Sequence, residues 1–226
     1  LIFVIYVEKA TFFVQHKLLQ IGVSALWIIG IINSFNLLDN MDGLSSGIAL
    51  ITSLIFSIVF FWMQNPNLGY MFLILSAIMV GFLPVNFFPS QCFMGDSGSL
   101  FIGYVISTLS IMGGYTKFSR LNHLPIIIPL LILSVPIYDT LSVMYIRFRN
   151  KKPLFKGDKN HFSHRIFRLG ISHRNSVVFL YLVTLATGLS AFLLPMVNWV
   201  GALILLIQDV ILFTLLTILI VAGGKE

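Results

Sequence analysis

Residues 23–44 read "VSALWIIGIINSFNLLDNMDGL", an apolar helix that ends in amides and acids. Residues 23–32 could dissolve in lipid. Residues 33–42 then place Asn33, Asn36, Asp39 and Asp42 at three-residue steps, in a 226-residue chain that holds only eight Asp and Glu. On a helix, steps of three turn each side chain back by about 60°, so Asn36, Asp39 and Asp42 share one half of the cylinder. A carboxylate at the bilayer centre costs about 2.5–3.5 kcal/mol on insertion scales, and such a group usually marks a functional site. The alternative is a polar helix end dipping into headgroup water, its Asn residues packed on a neighbouring helix.

Composition supports the membrane reading of this stretch. The chain is 58% hydrophobic, 14% aromatic and 10% charged, where a soluble domain carries about 25% charge. An all-α, polytopic membrane helix bundle is expected. The net charge of +6 is not spread over a soluble face, so no nucleic-acid partner is implied. A lone Cys92 excludes an internal disulfide and argues against a zinc site. The opening "LIFVIYV" has no initiator Met and is shorter than the roughly 20 apolar residues a span needs. It lacks a basic n-region and a small-residue cleavage site, so it does not read as a signal peptide. The expectation is a chain entered in mid-helix, part of something longer.

Hydropathy places spans at 18–38, 44–64, 70–88, 98–116, 124–147 and 176–196, with a seventh at 199–222. Continuous apolar runs without alternation imply helices, not strands. Linkers such as "QNPNLG" and "MVNW" carry turn residues. Residues 1–226 read as one integral-membrane domain with a basic loop at 147–175. Nine of the fourteen Lys and Arg fall between Arg147 and Arg174, which puts that loop in the cytoplasm. Counting spans backwards places 89–97 and 39–43 on the same side. The loops at 65–69 and 117–123 face outward, Lys117 and Arg120 being minor exceptions. All three motif-like stretches therefore share one membrane face.

The second stretch is "FFPSQCFMGDSGSLFIGY", residues 87–104. Pro89 ends one span, and Asp96, Ser97, Gly98 and Ser99 open another. Asp and Ser are good N-caps, Gly lets a ligand approach the backbone, and free amides at a helix start favour anions. Asp96 itself repels phosphate unless a cation lies between them, the usual magnesium arrangement of one or two carboxylates plus substrate phosphates. Taken alone, a simple N-cap explains Asp96 as well. The third stretch, "KGDKNHFSHR", sets His161 and His164 beside Lys156, Lys159 and Arg165. Such a set suits a diphosphate, although topology or anionic lipid also calls for juxtamembrane cations. Two His with a distant Cys92 make an incomplete zinc set. Asp139, in "SVPIYDTLSV", either supports the site or pairs with a basic residue structurally; Asp209, in "LLIQDVILF", reads as structural. Together the three stretches suggest a magnesium-dependent reaction on a phosphorylated substrate at the membrane surface.

The same residues resemble the polyprenyl-phosphate N-acetylhexosamine-1-phosphate transferases, often filed as glycosyltransferase family 4. The likeness is greatest to the branch that starts O-antigen, enterobacterial common antigen and teichoic acid synthesis. The family motif N-x-x-N-x-x-D-G-x-D-G-L appears as "NSFNLLDNMDGL", with Asn40 in place of the first Gly. "F-M-G-D-x-G-S-L" is matched in full by "FMGDSGSL", residues 93–100. The His-rich H-x-H-H or H-H-H is matched partly by "HFSHR", a form that argues against the muramoyl-pentapeptide substrate.

The resemblance covers nearly all of the chain, as the C-terminal two-thirds of the family domain. It implies that Asn36 and Asp96 are ligands of Mg2+ (Mn2+ being the alternative ion) and that Asp39 and Asp42 lie in the catalytic centre. It also implies a substrate-binding set of Asn33, Gly95, Ser97, Lys159, His161, His164 and Arg165. In the family, a lipid phosphate such as undecaprenyl phosphate attacks the sugar-bearing phosphorus of a UDP-sugar and expels UMP. A multi-pass protein of the bacterial plasma membrane with a cytoplasmic site is implied, and a homodimer is left open. One departure matters: family members carry an adjacent Asp pair in their N-terminal third, and no such pair occurs in these residues. The expectation is that the pair went with the missing N-terminal helices, leaving this fragment inactive by itself. The rivals are a membrane transporter, whose sites usually lie near the midplane on broken helices, and a non-catalytic degenerate paralogue.

Overall fold

The computed structural model describes residues 17–113, 127–151 and 161–223. These are helical, with no strand among the described residues. In chain order the helices are α1 (Lys17–Leu38), α2 (Leu44–Trp62), α3 (Pro66–Asn86), α4 (Gly95–Met112), α5 (Ile127–Ile132), α6 (Ser134–Arg149), α7 (Phe162–Arg168), α8 (His173–Leu193) and α9 (Trp199–Gly223). A short 3₁₀ turn, Leu194–Met196, follows α8.

Among the described residues, five segments are long and apolar enough to cross a membrane by length and composition: Leu18–Leu38, Leu44–Trp62, Pro66–Asn86, His173–Met196 and Trp199–Ala222. Two of the seven expected spans differ. The expected 98–116 span is α4, whose first turns hold Gly95, Asp96, Ser97, Gly98 and Ser99 and so dilute its apolar character. The expected 124–147 span breaks at Leu133 into α5 and α6. Pro136 explains the break, because it has no N–H for the Ile132 carbonyl and its ring crowds that turn. Pro136 instead sits in the first turn of α6, where proline is tolerated. A third boundary moves as well: α3 begins at Pro66, not at 70, because Asn65 caps it by accepting from the Leu68 N–H and Pro66 fits the first turn. The expected basic loop at 147–175 contains a helix of its own, α7.

The most extensive packing is of α2 on α3, then of α1 on α4; α2 also packs on α8, α1 on α6 and α5 on α8. Phe56, Phe60 and Phe72 are fully buried between α2 and α3, with the Phe56 and Phe72 rings stacked at 4.7 Å. In lipid, helices are held by close van der Waals packing at small residues, and Gly103 supplies it between α1 and α4. A Cβ there would lie 2.7 Å from the Ile32 Cα. The pair is antiparallel: Trp27 donates to Ser110 Oγ (3.1 Å) towards one end, and Asn36 reaches Asp96 and Ser99 at the other. Asp209 is buried and accepts from Ser190 Oγ (3.1 Å), which ties α9 to α8.

Candidate active site

The helix ends bring the three stretches together at one end of the bundle. Asn36, in the last turn of α1, donates from Nδ2 to Asp96 Oδ1 (2.9 Å) and to Ser99 Oγ (3.1 Å) in the first turns of α4. Both amide hydrogens are thereby used, which leaves the Asn36 carbonyl oxygen as an acceptor. Asp96 is not the N-cap of α4, contrary to the simplest sequence reading. Met94 holds that position without a side-chain hydrogen bond, and Asp96 turns across to α1 instead. Gly95 opens α4 with φ of 65°, and Ser97 is exposed beside Asp96.

Asp39 follows directly on α1. Burial raises its proton affinity above the ordinary carboxylate range; a hydrogen bond from the Gly95 backbone opposes this, and the nearby charges of Asp96 and Asp42 add to it. Asp42 Oδ2 accepts from the Ser90 N–H (3.2 Å), which moors the 87–94 segment to the first motif. Gly43 then turns the chain into α2 with φ of 76°. A Cβ there would meet the Phe87 ring at 2.8 Å, and the Gly43 carbonyl accepts from the Tyr181 hydroxyl of α8. Asn33 is exposed and its amide bonds back to the Ile29 carbonyl (2.7 Å), so it stands apart from this network.

The third stretch reaches the same place through α7. Ser163 Oγ donates to Asn40 Oδ1 (2.7 Å). His161 is 3% exposed, and its Nδ1 lies 3.0 Å from Asp139 Oδ2. The other carboxylate oxygen, Asp139 Oδ1, accepts from the Phe162 N–H at the start of α7 (2.6 Å). Asp139 thus pairs with a basic residue, His161, and also accepts from the start of α7, an arrangement that fits either role open to it in the sequence. Arg165 donates to Ser142 Oγ (2.6 Å) and lies over the Phe162 ring at 5.7 Å. Burial pushes its guanidinium below the usual range, opposed by neighbouring Tyr138 and Asp139. His164, half-buried, is one turn along. Lys159 and Lys156 lie outside the described residues.

Sequence reasoning missed Asn86 and Ser163, and took Ser99 only as part of a helix start. Asn86 is 2% exposed; it accepts from Ser46 Oγ (2.6 Å) and donates to the Cys92 carbonyl (2.9 Å), which staples the second motif to α2. A single Asn within a helical run carries no sequence signal of such a role.

A family model for glycosyl transferase family 4 matches residues 2–114, the half of the chain that carries the first two motifs. The chain belongs to glycosyl transferase family 4. It is similar to a probable undecaprenyl-phosphate N-acetylglucosaminyl 1-phosphate transferase of Bacillus subtilis (strain 168), 38% identical over 186 residues, covering 82% of this chain and 51% of the relative. It is also similar to a decaprenyl-phosphate N-acetylglucosaminephosphotransferase of Mycobacterium tuberculosis, 32% identical over 172 residues, covering 68% of this chain and 42% of the relative. A phospho-N-acetylmuramoyl-pentapeptide-transferase of Staphylococcus epidermidis is 33% identical over 178 residues, covering 77% and 50% respectively. The chain thus spans about half the length of these relatives. As a family 4 chain with five segments among the described residues long and apolar enough to cross a membrane, it is a multi-pass membrane protein.

Among the described residues, no group of three or more His, Cys, Asp or Glu side chains is placed to hold a metal ion. Magnesium does not need such a group, because it keeps several waters and takes one or two carboxylates plus substrate phosphates. Asp39 lies close enough to Asp96 and Asp42 for their charges to add to the rise in its proton affinity.

Proposed function

We propose that the protein carrying this chain transfers N-acetylhexosamine 1-phosphate from a UDP-sugar to undecaprenyl phosphate, releasing UMP, as the first membrane step of cell-envelope polysaccharide synthesis. The observation that carries this reading is the junction of the three motifs through Asn36–Asp96 and Asn40–Ser163. The segments that carry the carboxylates and the basic, His-bearing helix then meet where the apolar helices end. In this reading α4 and the α5–α6 pair also cross the bilayer, making about seven spans, and the junction faces the cytoplasm of the bacterial plasma membrane, a side the Lys and Arg distribution supports.

Asp96 and the carbonyl oxygen of Asn36 would hold Mg2+, with Mn2+ as the alternative. When bound, the ion supplies charge neutralisation across the diphosphate. Asn36 orients the Asp96 carboxylate through its amide hydrogens. Asp39 binds a proton more tightly than an ordinary carboxylate, so it suits proton acceptance from the attacking lipid phosphate. Asp42, tied to the Ser90 N–H, keeps the second-motif segment against the first. His161 is held in one orientation by Asp139; with His164, Arg165 and Lys159 it grips the diphosphate side of the UDP-sugar. A P–O bond forms between a lipid phosphate oxygen and the sugar-bearing phosphorus, and the bond from that phosphorus to UMP breaks.

The test uses the full gene product in membranes supplied with undecaprenyl phosphate, Mg2+ and a panel of UDP-N-acetylhexosamines. UMP release with one sugar, lost on chelation, is expected. No release with any sugar, from folded protein, would overturn the proposal, and uptake of solute without product would favour a transporter.

A further inference from the structure

Asn40 and Ser163 lie 123 positions apart, yet Ser163 Oγ donates to Asn40 Oδ1 at 2.7 Å. Ser163 is 1% exposed. The other end of the Asn40 amide is engaged too: Nδ2 donates to the Leu37 carbonyl at 2.6 Å. That carbonyl belongs to the last turn of α1, where acceptors have no intrahelical partner. With its nitrogen pinned to α1, the amide must present its oxygen to α7. Asn40 therefore braces the end of α1 and receives α7 through a single side chain. On one side its neighbour is Asp39; on the other, Ser163 stands between Phe162, bonded to Asp139, and His164.

These two residues are also where the chain departs from the motifs it otherwise follows. Asn40 replaces the first Gly of the first motif. Setting "HFSH" on H-x-H-H puts Ser163 where the pattern has its second His. A Gly at 40 would offer no side-chain acceptor and would leave the buried Ser163 hydroxyl without its partner, at a cost. A His at 163 would drive an imidazole into an Asn amide already at hydrogen-bond distance. Each departure fits the other, and neither fits the pattern's alternative alone.

We propose that Asn40 and Ser163 are a coupled positioning pair whose hydrogen bond sets the spacing between Asp39 and the His161–His164 helix. Its kinetic consequence rests on the transferase reading above; its structural consequence rests on the geometry alone. The test is a double-mutant cycle in the full gene product with Asn40→Ala, Ser163→Ala and both together. Ser163→Thr is the conservative variant, and Asn40→Gly with Ser163→His is the reciprocal swap. Two quantities are read: amide hydrogen exchange across residues 162–168 without substrate, and kcat and KM for UMP release.

Each single Ala variant should speed exchange by about 2- to 12-fold, the worth of one net hydrogen bond, and the double variant should go no further than the larger single. At a temperature where all variants are folded, kcat should fall in the same non-additive pattern, by a larger factor than KM for the UDP-sugar rises. Ser163→Thr should restore both quantities, and the swap should recover over either of its singles. Effects that multiply in the double variant would overturn the pairing. Coupled exchange with unchanged kcat would overturn the positioning role and leave a mere clasp. A wild type that releases no UMP counts against the transferase reading, and the exchange cycle then judges the pair by itself.

Discussion

Replacing Gly103 by Ala would put a methyl group 2.7 Å from the Ile32 Cα and 3.2 Å from the Ile31 carbonyl oxygen. Both are main-chain atoms, so no rotamer change relieves the contact. Restoring an ordinary carbon–carbon separation near 3.7 Å requires α1 and α4 to part by about 1 Å. Overpacking of this kind typically costs about 1–3 kcal/mol. The larger effect is expected one turn along α1 from Ile32, where Asn36 Nδ2 and Asp96 Oδ1 are 2.9 Å apart. The same displacement would stretch that pair to about 3.9 Å, outside hydrogen-bond reach. A misplacement of 1 Å can cost about 100-fold in rate. Gly103→Ala should therefore lower kcat for UMP release by about that factor, with a lower thermal midpoint and normal membrane insertion. Gly30→Ala, on α1 where an added Cβ meets nothing within 4 Å, is the matched control. It should be neutral or gain up to about 1 kcal/mol in stability. Wild-type turnover and midpoint in Gly103→Ala would refute the claim that this contact sets the approach of the two motifs.

Asp96→Asn should abolish magnesium-dependent turnover while leaving insertion intact, and unchanged activity would remove Asp96 from the ligand set. Asp39→Asn should stop turnover yet stabilise the fold at neutral pH in chelator. Because the folded pKa of Asp39 is raised, its ionisation disfavours the folded state, and stability is lost as pH rises from the ordinary carboxylate value through the raised one. The gain in thermal midpoint should therefore vanish as pH falls below the ordinary value; a gain that persists in acid contradicts this origin. Asp139→Ala should leave His161 Nδ1 and the Phe162 N–H buried and unpartnered, at about 1–3 kcal/mol for each group, read as a lower midpoint and faster exchange across 162–168. Changing His161 and His164 together to Ala should weaken UDP-sugar use far more than a topology residue would, whereas lower expression with normal activity per molecule would favour a purely topogenic loop.

The membrane architecture was legible because burial in lipid leaves long apolar runs, and the common face of the motifs followed from counting those runs against the Lys and Arg of 147–174. Helix breaks were harder to read. Pro136 interrupts an apolar stretch without changing its hydropathy, so α5 and α6 read as one span. At the site, Asn36, Asp39 and Asp42 stood out because their spacing is local, but α1 ends at Leu38, so Asp39 and Asp42 lie in the turn beyond it and not on the helix face the three-residue steps suggested. The partners of Asp96 and Asp139 were not visible: Asn36 is 60 positions from Asp96, and His161 is 22 positions from Asp139. Local chemistry made a helix cap the natural reading of Asp96, and only the antiparallel register of α1 on α4, set at Gly103, shows what that carboxylate meets. Ser163 carried no signal because its meaning lies in Asn40, at the far end of another helix.

The most direct measurement follows the sugar-bearing phosphate. The full gene product in membranes would be given undecaprenyl phosphate, Mg2+ and a UDP-N-acetylhexosamine labelled at the phosphorus attached to the sugar. Transfer of the phosphosugar carries that label into the lipid fraction while unlabelled UMP appears in the water, both in equal amounts and both lost with chelator. Label that stays in water, whether as intact UDP-sugar or as UDP, would contradict the proposed chemistry.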